Sequence, residues 1–176
     1  MFIPGAVITA VTFPGVVVHE FAHQLFCRMF GVAIFEVKYF QFGNPAGYVI
    51  HEPVRNPVHQ LFIGTGPFFI NTILSALIAF PAALPVALGE ASFIDYLLIY
   101  LGVCVGMHAF PSTGDAKTMW NGLMKGENTP LWLKLVTAPV VGLIFLGALG
   151  SVVWLDLFYG MAVALGFPAA LMQLVI

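Results

Sequence analysis

The sequence predicts an α-helical polytopic membrane protein of about five transmembrane helices, with a small membrane-associated β-hairpin after the first. Three observations carry that expectation. Of 176 residues, 60% are hydrophobic and 8% charged, with a mean hydropathy of +0.99, a surface that no soluble domain could cover with polar groups. Apolar stretches recur at close to the roughly 20 residues that a helix needs to cross hydrocarbon. The basic residues fall in or beside two connections between those stretches. The length allows one membrane-embedded domain over 1–176, with the lipid bilayer as its surroundings. A net charge of -2 without a basic run argues against nucleic acid as a partner.

The first segment, about 3–28, has no basic region before it and no small-residue cleavage site before His19 and Glu20, so it reads as a retained span rather than a signal peptide. Next come "VAIFEVKYFQFG" and "GYVIHEP", joined by "NPA". Both are rich in β-branched and aromatic residues around turn formers, which predicts a hairpin over 33–52. It is apolar on both faces and should lie in or against the membrane. Segments of about 58–84 and 94–111 follow. The connection after them, "PSTGDAKTMWNGLMKGENTP", sets Met119, Trp120, Leu123 and Met124 against Lys117 and Lys125, a pattern for a short interfacial helix. Additional helices are expected at about 131–155 and 157–175.

Arg28, Lys38, Arg55, Lys117, Lys125 and Lys134 all fall in or beside the connections 28–57 and 112–134, whereas Glu90, Asp95 and Asp156 mark acidic ones. The positive-inside rule then puts the basic connections in the cytoplasm, the N-terminus outside and the C-terminus in the cytoplasm. Cys27 and Cys104 have no metal-like spacing and are expected to be small free core residues.

The chemistry is concentrated in "VVVHEFAHQLF", residues 16–26. On a helix His19 and His23 lie at i and i+4, so both imidazoles leave one face and can share an ion, with Glu20 beside them. This is the HExxH arrangement of zinc hydrolases. A catalytic zinc takes three protein ligands and keeps a position for water, and a glutamate that is not a ligand can take that water's proton. A charge in mid-span costs about 2.5–3.5 kcal/mol on insertion scales, so a cluster there implies a function. For the third ligand Asp115 is favoured: it follows a Pro- and Gly-broken "FPSTGD" on the same side as the motif, where unwound backbone is tolerated if protein or a water-filled cavity satisfies it. Asp115 could instead cap the helix that begins there. His108, His59, His51 and Glu52 are rival ligands.

HExxH in the first span, "GTGPFFIN" in the second and the broken segment ending at Asp115 together resemble the site-2 protease family of intramembrane zinc metalloproteases, over roughly residues 15–118. The resemblance implies a catalytic core of about 3–118 with one Zn2+ held by His19, His23 and Asp115. It also implies Glu20 as the base that activates water, and a transmembrane protein as substrate. Asn71 and His108 become candidates for substrate or oxyanion contact, and the hairpin becomes a strand edge that pairs with an unwound substrate. The chain departs from the family pattern in having His108 at the asparagine position, Ala116 after the aspartate and one extra residue between Pro67 and Asn71. It resembles a divergent, minimal member without a PDZ or CBS domain. The competing expectation is a metal-binding membrane protein without hydrolytic activity, a carrier or degenerate adaptor, which would have no need of Glu20. The oligomeric state is not legible.

Overall fold

The computed structural model describes residues 5–126 and 129–175; Ile3 and Pro4, which open the first expected segment, lie outside them. It is mostly helical, with one two-stranded sheet. The first segment is two helices, α1 (Gly5–Val11) and α2 (Phe13–Met29), broken at Thr12 with Pro14 in the first turn of α2. Gly31, at φ 66°, ends it in a left-handed turn that suits glycine.

The hairpin follows as expected. Strands β1 (Ile34–Lys38) and β2 (Tyr48–His51) are antiparallel, with Val37 opposite Val49 and Lys38 opposite Tyr48. The Tyr39 hydroxyl donates to Gln24 Oε1 and Phe13 packs on Phe40, so the hairpin is fastened to α2.

Helix α3 (Pro57–Ala87) starts where Asn56 accepts the Val58 and His59 amides, with Pro57 in the first turn. Helix α4 (Phe93–Met107) runs back beside it. Small residues bring the two together: Ser75 and Ala79 of α3 face Gly102 and Gly106 of α4. After Met107 the chain leaves the helix until α5 (Thr113–Met124), which Ser112 caps. Pro111 accounts for the gap, since it has no amide to continue the ladder and disfavours helix in the residue before it.

Helix α6 (Leu131–Gly150) leads through a 3-10 turn to α7 (Leu155–Met161), a π turn and α8 (Phe167–Val175). Three stretches are long and apolar enough to cross a membrane: Pro57–Ala87, Leu131–Val153 and Leu155–Gln173. At 15 residues α4 is shorter, as is α2 at 17. Large apolar side chains such as Leu135, Leu143 and Phe158 stand exposed on the outer faces, as lipid-facing positions should.

The contacts give the direction of the helices expected at 131–155 and 157–175, which hydropathy leaves open. Met119 of α5 lies on Gly64 and Gly122 lies beside Gln60, so α5 runs opposite to α3. A short link joins α5 to α6, and the far end of α6, at Gly147, packs on Phe110 just before α5. Helix α6 therefore runs in the sense of α3. Tyr159 meets Thr72, Gly160 meets Val103 and Gly106, and Ala164 meets Gly102, so α7 and the π turn run opposite to α4. The chain from 131 to 166 thus keeps one direction along α3 instead of turning back. Trp154, left-handed at φ 64°, offsets the two helices without reversing them.

Candidate metal centre

His19, Glu20 and His23 sit on the buried side of α2. Asp115 comes from the first turn of α5. His19 Nε2 and His23 Nε2 each lie 3.6 Å from Asp115 Oδ2, too far for hydrogen bonds. Two donors each about 2 Å from one tetrahedral ion would be on the order of 3.3 Å apart, so the spacing suits atoms that share a cation. Among the described residues these three are the group placed to hold a metal ion, with donor atoms within 4.8 Å of one another.

Why the Nε2 atoms face that point follows from the opposite ring nitrogens. His19 Nδ1 donates to the His108 carbonyl at 2.7 Å, and His23 Nδ1 donates to the Ile63 carbonyl at 2.8 Å. Each bond puts the proton on Nδ1 and leaves Nε2 as the lone-pair donor. Both carbonyls are free because of proline or helix ending. Helical bonding would bring the amide of residue 67 to Ile63, but residue 67 is Pro67 and has no hydrogen. His108 is the residue at which α4 stops. His23 Nε2 is buried and has no hydrogen-bond partner, an orphan polar atom that a metal would satisfy. The donor set of two imidazoles and a carboxylate fits a catalytic zinc.

Asp115 is not the N-cap of a helix that begins beside it: α5 starts at Thr113, Ser112 is the cap and Asp115 is the third residue of the first turn. It forms a capping box with Ser112, whose amide and hydroxyl donate to the same Oδ2 at 2.8 and 2.6 Å. The cap thereby aims the carboxylate at the histidines.

The site opens into a cavity of about 1080 Å³. Glu20 and the three candidate ligands line it, with β2, the Asn44–Gly47 loop, the Pro111–Gly114 turn, and Gly147 and Ser151 around α6. All of β2 borders the cavity and none of β1 does, so the strand edge that is not paired with β1 is the one beside the site. Gly47 lies over Glu20: a Cβ there would be 2.6 Å from Glu20 Cγ and 3.0 Å from Oε1. Only glycine lets the hairpin approach this closely.

Asn71 is fully buried but does not line the cavity. Its amide nitrogen donates to the carbonyls of Gly15, Val105 and His108 at 3.2, 3.0 and 3.2 Å. It joins α2, α3 and the end of α4 from behind, and it touches the same His108 carbonyl that orients His19. Such closeness needs Gly15, where a Cβ would fall 2.0 Å from the Cys104 carbonyl oxygen. His108 lines the cavity, and its ring Nε2 pairs with Thr12 Oγ1 at 2.8 Å. His59 stacks on Phe30 with ring centroids 4.3 Å apart, and His51 Nδ1 donates to the Glu52 carbonyl; neither joins the cluster. Cys27 and Cys104 are buried and free.

Sequence reasoning missed Gly47, Ser112 and the carbonyl of Ile63. The S-x-x-D spacing of Ser112 and Asp115 was a readable capping signal. No sequence pattern put Gly47 over Glu20. Comparison with known proteins returns no matching family model, no matching curated protein and no matching solved structure.

Proposed function

We propose that this protein is an intramembrane zinc metalloprotease that hydrolyses peptide bonds of membrane-embedded substrate helices. The observation that carries the reading is the conjunction of three convergent donors with a carboxylate, Glu20, that lines the same cavity and is not one of them. A bound zinc would supply an acidified water and polarise the carbonyl under attack. Glu20 then receives the proton as water adds to the peptide carbon, and passes it to the departing amine as the C–N bond breaks. His19, His23 and Asp115 hold the ion, while the Ile63 and His108 carbonyls and Ser112 hold the ligands. The Thr12 hydroxyl gives its hydrogen to the Ile8 carbonyl and so takes the His108 Nε2 hydrogen, which leaves the neutral His108 ring no N–H for an oxyanion; the position of Asn71 behind the site favours a positioning role.

A transmembrane helix hides its amides in internal bonds, so cleavage requires unwinding. The free edge of β2 offers replacement partners to a substrate strand along the cavity.

For topology, the basic connections 28–57 and 112–134 lie on the cytoplasmic side by the positive-inside rule, with the N-terminus outside. Because α6 and α7 both run in the sense of α3, the arrangement proposed is four crossings, α1–α2, α3, α4 and α6–α8, with α5 in the cytoplasmic connection. The C-terminal end then finishes on the same side as the N-terminus.

Metal removal tests the reading. Cleavage of a transmembrane substrate by purified protein should stop with a zinc chelator such as 1,10-phenanthroline and return when zinc is restored. Cleavage that persists in metal-stripped protein would refute it.

A further inference from the structure

A second concavity lies on the outer face of the molecule, between α5 and α6, away from the Glu20 cavity. It is a groove of about 530 Å³ lined by Ala116, Lys117, Trp120, Asn121, Val141, Gly142, Phe145 and Leu146. Its walls are apolar except at Lys117 and Asn121. Gly142 keeps it open, since a Cβ at that position would meet nothing within 4 Å. Lys117 is exposed, and its side chain has no hydrogen-bond or ion-pair partner among the described residues. It stands two residues from Asp115, on a helix whose buried side packs Ala116, Met119 and Leu123 against Val141 and Ile144.

We propose that this groove is a binding site for one anionic phospholipid. One acyl chain lies along Gly142, Phe145 and Leu146, and the Lys117 ammonium pairs with the headgroup phosphate. The argument is charge complementarity on an apolar trough. A cation flanking a lipid-facing groove needs an anion or water, and its methylene stem can lie on the apolar wall while the head reaches the phosphate. Trp120, 45% exposed, is an amphipathic ring of the kind that settles at the headgroup boundary. Basic residues near a membrane surface attract anionic lipid. A lipid wedged there contacts both α5 and α6, and α5 carries Asp115.

The test uses Trp120 as its own reporter. In a Trp132→Phe, Trp154→Phe background the protein is reconstituted into phosphatidylcholine vesicles containing a small, equal fraction of acyl-brominated phosphatidylglycerol or acyl-brominated phosphatidylcholine. The expected result is at least twofold stronger quenching by the brominated phosphatidylglycerol. That preference should fall to parity in Lys117→Met, and quenching by both lipids should drop in Gly142→Leu, whose side chain fills the groove. Both variants should keep the parental circular dichroism, because neither replaces a packed side chain. Equal quenching by the two lipids, a preference that survives Lys117→Met, or a Trp120 shielded from both by a second copy of the chain would each overturn the proposal. None of these outcomes depends on proteolytic activity.

Discussion

Proline has no amide hydrogen, and at Pro67 this leaves the Ile63 carbonyl free for His23 Nδ1. The residue would therefore act on a metal held at this site through an atom it lacks. Pro67→Ala would restore a competing helical donor, and loss of an outer hydrogen bond to a ligating histidine weakens metal binding about 10- to 100-fold. A chelator competition titration should find zinc affinity reduced in that range with helix content unchanged; unaltered affinity would mean that His23 is oriented by packing alone. At this scale the sequence was most readable where covalent spacing fixes the outcome. His19 and His23 share a face because four residues make about one helical turn; the capping pair of Ser112 and Asp115, three positions apart, was an equally local signal that went unread. The sequence was least readable for contacts between elements distant in sequence. Nothing in "NPAGY" tells that Gly47 meets Glu20, and nothing in "GPFFIN" tells that Asn71 faces three carbonyls instead of the cavity.

Among the elements, the hairpin was legible because its composition and turn residues are local signals, and both strands fall inside the expected 33–52. Which edge is free was not legible, since that depends on where the helices stand. With β2 as the cavity edge, prolines along residues 48–51 should reduce cleavage of a stable substrate helix more than prolines along 34–38, while zinc stays bound. A substrate already weakened by glycine or proline near the cut should lose less, because less unwinding is needed. Cleavage rates and zinc content measured in parallel decide this. If prolines in both strands leave both rates unchanged, the hairpin only packs. The break at Thr12 escaped sequence reading because hydropathy is continuous across 3–28, although Pro14, with no amide for the Ala10 carbonyl, was a local signal for it; the Thr12 hydroxyl there bonds the Ile8 carbonyl and His108 Nε2.

The whole molecule is a bundle whose last helices climb along α3 in one direction. Hydropathy gives the length of a span but carries no sign, so 131–155 and 157–175 looked like a pair separated by a corner at Asp156. The contacts of Gly147, Gly160 and Ala164 supply the sign. Single cysteines placed at Lys125, Glu90 and Gln173, in a background lacking Cys27 and Cys104, can be probed with an impermeant thiol reagent in intact cells. Four crossings predict labelling at 90 and 173 and protection at 125; protection at 173 with labelling at 90 would restore an odd number of crossings. The long apolar helices and the shared face of His19 and His23 were thus readable from sequence, while the path of the chain needed the long-range contacts.

The central claim is that His19, His23 and Asp115 hold a metal whose water Glu20 deprotonates. Its most direct test is the zinc stoichiometry of purified Glu20→Gln measured together with its cleavage of a transmembrane substrate. The account predicts one zinc per chain, as in the parent, with the rate reduced by about 10²- to 10⁴-fold, the usual contribution of a general base. A Glu20→Gln protein that binds zinc and cleaves at the parental rate would contradict it.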